Sequence, residues 1–145
     1  MARTFRIRTR IDKPIAEVFE AIIQQELLKK YFCDSASGDI VAGERVVWSW
    51  ENHGDYPVQV VKVEPNHLIV FTLNGLEWQK SGEDYDVTVT MELEALDDGA
   101  TMLSISEADW PDTEDGISGS YDNCEGWTHM AMCLKAFLEH GIDLR

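Results

Sequence analysis

Over ten residues, positions 85–94, apolar and polar side chains alternate without a break. Tyr85, Val87, Val89, Met91 and Leu93 fall on one side, and Asp86, Thr88, Thr90, Glu92 and Glu94 on the other. A period of two fits an extended chain, not a helix, and gives a strand one face to bury. Asp97-Asp98-Gly99 follows, and such a sequence suits the tight turn of a hairpin. Residues 100–107 then return with Thr101, Leu103 and Ile105 in one phase. A two-stranded ribbon is marginal in water, so this hairpin needs further strands and an apolar cover.

Both are present in the chain. Phe5, Ile7, Thr9 and Ile11 alternate with Arg6, Arg8 and Arg10, which predicts an opening strand. Asp12-Lys13-Pro14 stops it, and Pro14 suits the first turn of a helix. Ile15, Val18, Phe19, Ile22 and Ile23 recur at helical spacing, and Leu27, Leu28, Tyr31 and Phe32 mark a second short helical stretch. Val46, Trp48 and Trp50 alternate with Val47, Ser49 and Glu51 as another strand. Residues 56–64 form a strand of open phase. Val58 and Val60 are apolar, and so are Val61 and Val63, which allows a bulge or a two-sided environment. Residues 68–73 give one more short strand. Residues 74–84, polar and carrying Gly75 and Gly82, read mainly as a loop, and Trp110-Pro111-Asp112 ends the sheet.

The last segment predicts the longest helix, starting between Asp112 and Asn123 and running to about His140. On a wheel of ~100° per residue, Ala131, Leu134 and Leu138 lie within about 40° of Trp127. Met130, Phe137 and Ile142 flank that stripe. Asp122, Glu125, His129, Cys133, Ala136 and His140 fall on the far side and are expected to face water. Strands segregated from helices define an α+β chain: one curved antiparallel sheet of about seven strands, two short helices after the first strand, and a long final helix. Its 145 residues suit one domain, residues 1–145, around one core.

Charge narrows the function. Twelve Lys and Arg face 27 Asp and Glu, for a net charge of -15. Such a surface repels nucleic-acid phosphates and anionic membranes, so neither is expected as a partner. It would instead steer a protein with a basic surface. Arg3, Arg6, Arg8 and Arg10 are most simply the solvent face of a strand, drawn to acidic neighbours. No apolar run is long enough to span a bilayer, and no secretory leader precedes the first strand, so the expected location is cytoplasmic. Cys33, Cys124 and Cys133 have neither metal-like nor disulfide-framework spacing, and are expected as reduced, partly buried thiols.

Few residues carry chemistry by motif. His129 and Cys133 are four apart, with Asp122 and Glu125 on the same side, a spacing able to hold zinc. That stripe is farthest from Trp127, so a solvated face is the simpler account and no metal is expected. Nucleophile elbows, phosphate loops and dinucleotide fingerprints are missing, so no cofactor is expected and the positive case for an enzyme is removed. Glu107 continues the inward phase of Leu103 and Ile105. Either the strand ends before it and leaves it solvated, or it sits near a cavity mouth with a raised pKa, able to bind a polar head or act as a base. Tyr85 and Trp50 are its possible hydrogen-bonding neighbours.

Further motifs carry a resemblance. Ile11-Asp12-Lys13-Pro14-Ile15-Ala16-Glu17-Val18-Phe19-Glu20-Ala21-Ile22, then Glu26-Leu27-Leu28-Lys29-Lys30-Tyr31-Phe32, and later Gly126-Trp127 with Leu134-Lys135-Ala136-Phe137-Leu138-Glu139, resemble the AHSA-type proteins. These are named for the activator of the 90-kDa heat-shock protein ATPase and belong to the START-related, birch-pollen-allergen-like helix-grip superfamily. The family often has Trp where this chain has Phe19 and Tyr31, which are conservative core changes. The resemblance implies a seven-stranded antiparallel sheet gripping a long C-terminal helix, with a cavity between them and no shared catalytic residues. Members bind lipids, sterols, polyketides or plant phenolics, or serve as co-chaperone domains. The expected function is binding of a small hydrophobic or aromatic molecule. Its expected lining is Trp48, Trp50, Tyr85, Val87, Val89, Met91, Leu103, Ile105, Glu107, Trp127, Met130 and Leu134, although many of these would serve equally as core filling. The alternatives are a protein-interaction module and a cyclase- or hydratase-like enzyme using Glu107.

Overall fold

The computed structural model describes residues 3–78 and 84–145. In chain order the elements are β1 (Arg3–Ile11), α1 (Ile15–Ile23), α2 (Gln25–Leu28), β2 (Ser35–Ala36), β3 (Arg45–Trp50), β4 (Gly54–Glu64), β5 (Leu68–Asn74), α3 (Gly75–Trp78), β6 (Asp86–Ala95), β7 (Thr101–Trp110) and α4 (Glu114–His140). The strands form one antiparallel sheet in the order β1-β7-β6-β5-β4-β3-β2. This is the expected α+β architecture, and the long helix lies against β1 and β7.

The period-two segments behave as their sequences dictate. In β6, Val87, Val89, Met91 and Leu93 are buried while Asp86, Glu92 and Glu94 are exposed. In β4 the open phase is resolved by a register shift between Val60 and Lys62. Val58 and Val60 point to the core, and Val61, the bulged residue, is 55% exposed. Arg6, Arg8 and Arg10 line the outer face of β1, and Arg10 bonds Asp12 and Asp98.

Helix α4 begins at Glu114, within the expected interval. The Thr113 side chain caps it by accepting from the Gly116 N–H at 3.1 Å, and Glu114 and Asp115 lie at the positive end of the dipole. It ends at Gly141, whose φ of 66° is left-handed and whose successor returns an N–H to Ala136 O. Trp127, Met130, Ala131 and Leu134 form its buried stripe.

Three expectations are corrected. Within 74–84, Gly75–Trp78 is a short helix instead of loop, while residues 79–83 lie outside the described residues. Ile142 lies beyond the helix and is 49% exposed, so it does not flank the stripe. Cys133, placed on the water-facing side by the wheel, is 1% exposed. The chain after α4 folds back, and Arg145 donates to the carbonyls of Cys33 and Lys29. This holds the segment around Tyr31 and Cys33 against that side of the helix, where Tyr31 stacks on Phe137.

Candidate functional site

The site begins with a bulge. Phe5 pairs with Glu107 and Arg3 with Trp110, so β7 spends three residues where β1 spends two. Asp109 takes the strain at φ 76°, a left-handed backbone that Asp tolerates better than most residues, and its side chain accepts from Thr88 at 3.0 Å. The extra residue resets the alternation, so Glu107 and Trp110 both turn inward, at 0% and 2% exposed. The simpler expectation, a solvated Glu107, is thereby corrected.

Glu107 is held by donors from two elements. Trp110 Nε1 donates to Oε1 at 2.8 Å, Asn123 Nδ2 reaches Oε2 at 3.0 Å and Oε1 at 3.2 Å, and Trp127 Nε1 donates to Oε2. Asn123 and Trp127 are one turn apart on α4, so one carboxyl group ties the end of β7 to the middle of the helix. No cation pairs with it among the described residues. Burial pushes the Glu107 carboxyl above the ordinary carboxylate range, and the bonds from Trp127, Asn123 and Trp110 pull it partly back. Tyr85, an expected neighbour, instead packs on the Trp110 ring at 5.9 Å. The other, Trp50, donates its N–H to Phe32 O at 2.7 Å.

Beside this anchor is a cluster of rings. Phe32 meets Trp48 and Trp50 edge-to-face at 5.1 and 5.0 Å and stacks on Trp127 at 6.1 Å. Trp48 also meets Phe71, Trp78 and Trp127 edge-on. The Trp48 indole N–H is buried without a hydrogen-bond partner among the described residues, a cost of about 1–3 kcal/mol at this end of the core. Phe32, Trp50, Trp78, Asn123, Gly126 and Trp127 enclose a slot of about 170 Å³. All three of its tryptophans have the N–H tied to protein: Trp50 to Phe32 O, Trp78 to Pro57 O at 2.6 Å, and Trp127 to Glu107. What remains for an occupant is ring surface. An outer cleft of about 470 Å³ shares Phe32, Trp50 and Gly126 with the slot and is bordered also by Asn52, His53, His129, Met130 and Arg145.

The expected lining divides accordingly. Trp50, Trp127 and Met130 border these hollows. Trp48 backs the slot through its ring contacts. Val87, Val89, Met91, Leu103, Ile105 and Leu134 are packed in the core, at most 1% exposed, and Tyr85 lies over Trp110. Sequence reasoning missed Phe32 and Trp78 as lining and Trp110 and Asn123 as partners of Glu107. Asn123 and Trp127 at i, i+4 were a usable signal, since that spacing puts a donor pair on one helix face.

The remaining candidates are quieter. Cys133 Sγ lies 3.5 Å from His129 Nε2. Burial raises the Cys133 thiol and pushes Cys33 up to about 11, so both stay protonated and poorly nucleophilic near neutrality. No helix among the described residues is long and apolar enough to cross a membrane.

A seven-stranded antiparallel sheet wrapped on a long C-terminal helix, with a hollow at the helix flank, defines a helix-grip protein. The family described as "Activator of Hsp90 ATPase homolog 1-like protein" matches residues 12–139, and the chain belongs to this family. Among solved structures, it is similar to protein SSP2350 from Staphylococcus saprophyticus, with 26% identity and a TM-score of 0.80 over 99% of this chain and 96% of that one. The Aha1 dimer from Colwellia psychrerythraea matches at 20% identity and TM-score 0.77, over 96% of this chain and 98% of that one. DynU16, a protein of the dynemicin biosynthetic locus, matches at 20% identity and TM-score 0.79, over 95% of this chain and 48% of that one. At 20% identity these are likenesses of fold. No curated protein sequence matches the chain.

Proposed function

We propose that this protein binds a small hydrophobic or aromatic molecule, lipid-like or polyketide- or phenolic-like, in the hollow between the β3 end of the sheet and α4. The observation that carries the reading is the aromatic slot, whose tryptophan N–H groups are all engaged by protein and whose Phe32 and Trp50 also border a larger cleft. Such a site rewards shape and apolar area and asks no hydrogen bond of the indoles. The likeness to a protein of a biosynthetic locus supports the same reading. No catalytic step is part of it: Glu107 is occupied by three donors and borders neither hollow. Native mass spectrometry of freshly purified protein tests the proposal. A bound species on the order of a few hundred daltons, lost on denaturation, is the expected result. A bare protein that also fails to take up neutral aromatic probes overturns it.

A second reading has its own observation. Asp112, Glu114, Asp115, Asp122 and Glu125 are all exposed around the first half of α4, in a chain of net charge -15. This face would steer a protein partner with a basic surface, and such binding should weaken steeply with salt. A pull-down that is insensitive to salt counts against it.

A further inference from the structure

The glycines of this fold differ in what requires them. A Cβ on Gly116 would lie 2.1 Å from the Pro111 carbonyl oxygen, and one on Gly75 would lie 2.6 Å from the Tyr85 ring, so close approach demands glycine at both. Gly126 has no such reason. Its φ is not positive, and a Cβ there would meet nothing within 4 Å. It lies in the interior of a 27-residue helix, where glycine is a worse choice than alanine. Neither the backbone nor packing asks for it. Gly126 does, however, border both the aromatic slot and the outer cleft.

We infer that Gly126 is the specificity-determining position of the site: its missing side chain keeps slot and cleft continuous, so the site takes an elongated molecule lying across the helix at that point. The aromatic part of such a ligand lies in the slot against Trp50, Trp78 and Trp127. Its other end lies in the cleft beside Asn52, His53 and His129, and is polar and uncharged. A negative group gains little there, because Arg145 is already paired with Asp143 and near Asp34. This assignment rests on the binding reading above and adds the shape of the ligand to it.

Two neutral probes of different size test it, each followed by quenching of tryptophan fluorescence: N-phenyl-1-naphthylamine, whose additional phenyl ring needs room beyond the slot, and 1-naphthol, a single naphthalene unit suited to the slot alone. Gly126→Leu should bind the long probe about tenfold more weakly while changing the short probe by less than about twofold. Its melting temperature should hold or rise by about 3 °C from the helix-propensity gain. Gly126→Ala, the milder variant, should show the same melting shift and an intermediate loss for the long probe. Equal losses for both probes, or no loss for either, overturn the role of Gly126 and leave the binding reading intact. A wild-type protein that binds neither probe overturns the binding reading and this inference with it.

Discussion

The two halves of the interior share one sheet and one helix but are built from different side chains. Against β1, β7 and β6 the filling is mainly aliphatic, with Ile11, Val87, Val89, Leu93, Leu103 and Ile105 each at most 3% exposed and Trp110 the buried ring at the end of β7. Against β3, β4 and β5 the aliphatic residues Val46, Val58, Val60, Ile69 and Leu73 are joined by an aromatic cluster, with Trp48 and Phe71 buried and Trp50 and Trp78 half-buried at the rim. Branched aliphatic chains interdigitate to nearly crystalline density. Rings are rigid plates, and edge-to-face pairs leave wedges that another plate fills better than a methyl group. The slot lies beside that aromatic cluster, lined by Phe32, Trp50, Trp78 and Trp127. The choice between branch and ring decides where this molecule is solid and where it is open.

The largest expected effect breaks the solid half. Leu103→Ala should cost about 3 kcal/mol in urea unfolding, because the surrounding strands cannot collapse onto the cavity. It should leave uptake of N-phenyl-1-naphthylamine by the folded protein unchanged. Trp50→Ala should do the reverse: a half-buried ring costs about 1–2 kcal/mol, and probe binding should disappear. If Leu103→Ala empties the site as thoroughly as Trp50→Ala does, the halves are one unit and the comparison fails.

A smaller effect sharpens the border between them, where Glu107 joins β7 to α4. Glu107→Gln turns an –NH₂ toward an indole N–H or the Asn123 amide, which should cost about 2 kcal/mol. That cost should depend on pH. Burial raises the folded-state pKa of Glu107, so the native chain holds this proton to higher pH than the unfolded chain does. The resulting stabilisation is complete below the ordinary glutamate value and is lost as pH rises through the raised one. The advantage of wild type over Glu107→Gln should therefore be full below the ordinary glutamate range and narrow as pH rises above it. The other carboxylates are common to both proteins and cancel in the difference. A gap that stays constant with pH would mean that Glu107 titrates as an exposed residue does.

Legibility followed the same divide. The aliphatic half was readable because β6, the start of β7 and β1 keep strict alternation, and each apolar residue found the face its position predicts. The aromatic site was only partly readable. Trp48, Trp50 and Trp127 sit on regular periods, but Trp110 reaches Glu107 because Ala108 and Asp109 form a bulge, and no period reports an inserted residue. Trp78 belongs to a four-residue helix in a polar stretch, too short to show a helical pattern. Cys133 was misplaced because a helical wheel knows nothing of a chain end that folds back over it. Long regular elements write themselves into sequence, whereas a site assembled from a bulge, a short helix and a returning tail depends on contacts between distant residues.

The smallest expected effect asks how far the aromatic half depends on where its helix begins. Thr113 satisfies the Gly116 N–H at the first turn of α4, and Thr113→Ala should cost about 1 kcal/mol. Fraying spreads about one turn from a helix end, while Asn123 and Trp127 lie more than two turns in and are pinned by Glu107. Amide exchange should therefore quicken at Gly116 and Ile117, with no change at residues 123–127 and no change in probe affinity. If probe affinity falls together with the cap, the hollow is shaped by the whole length of α4, and the division into a solid half and an open half would have to be redrawn along the helix instead of across the sheet.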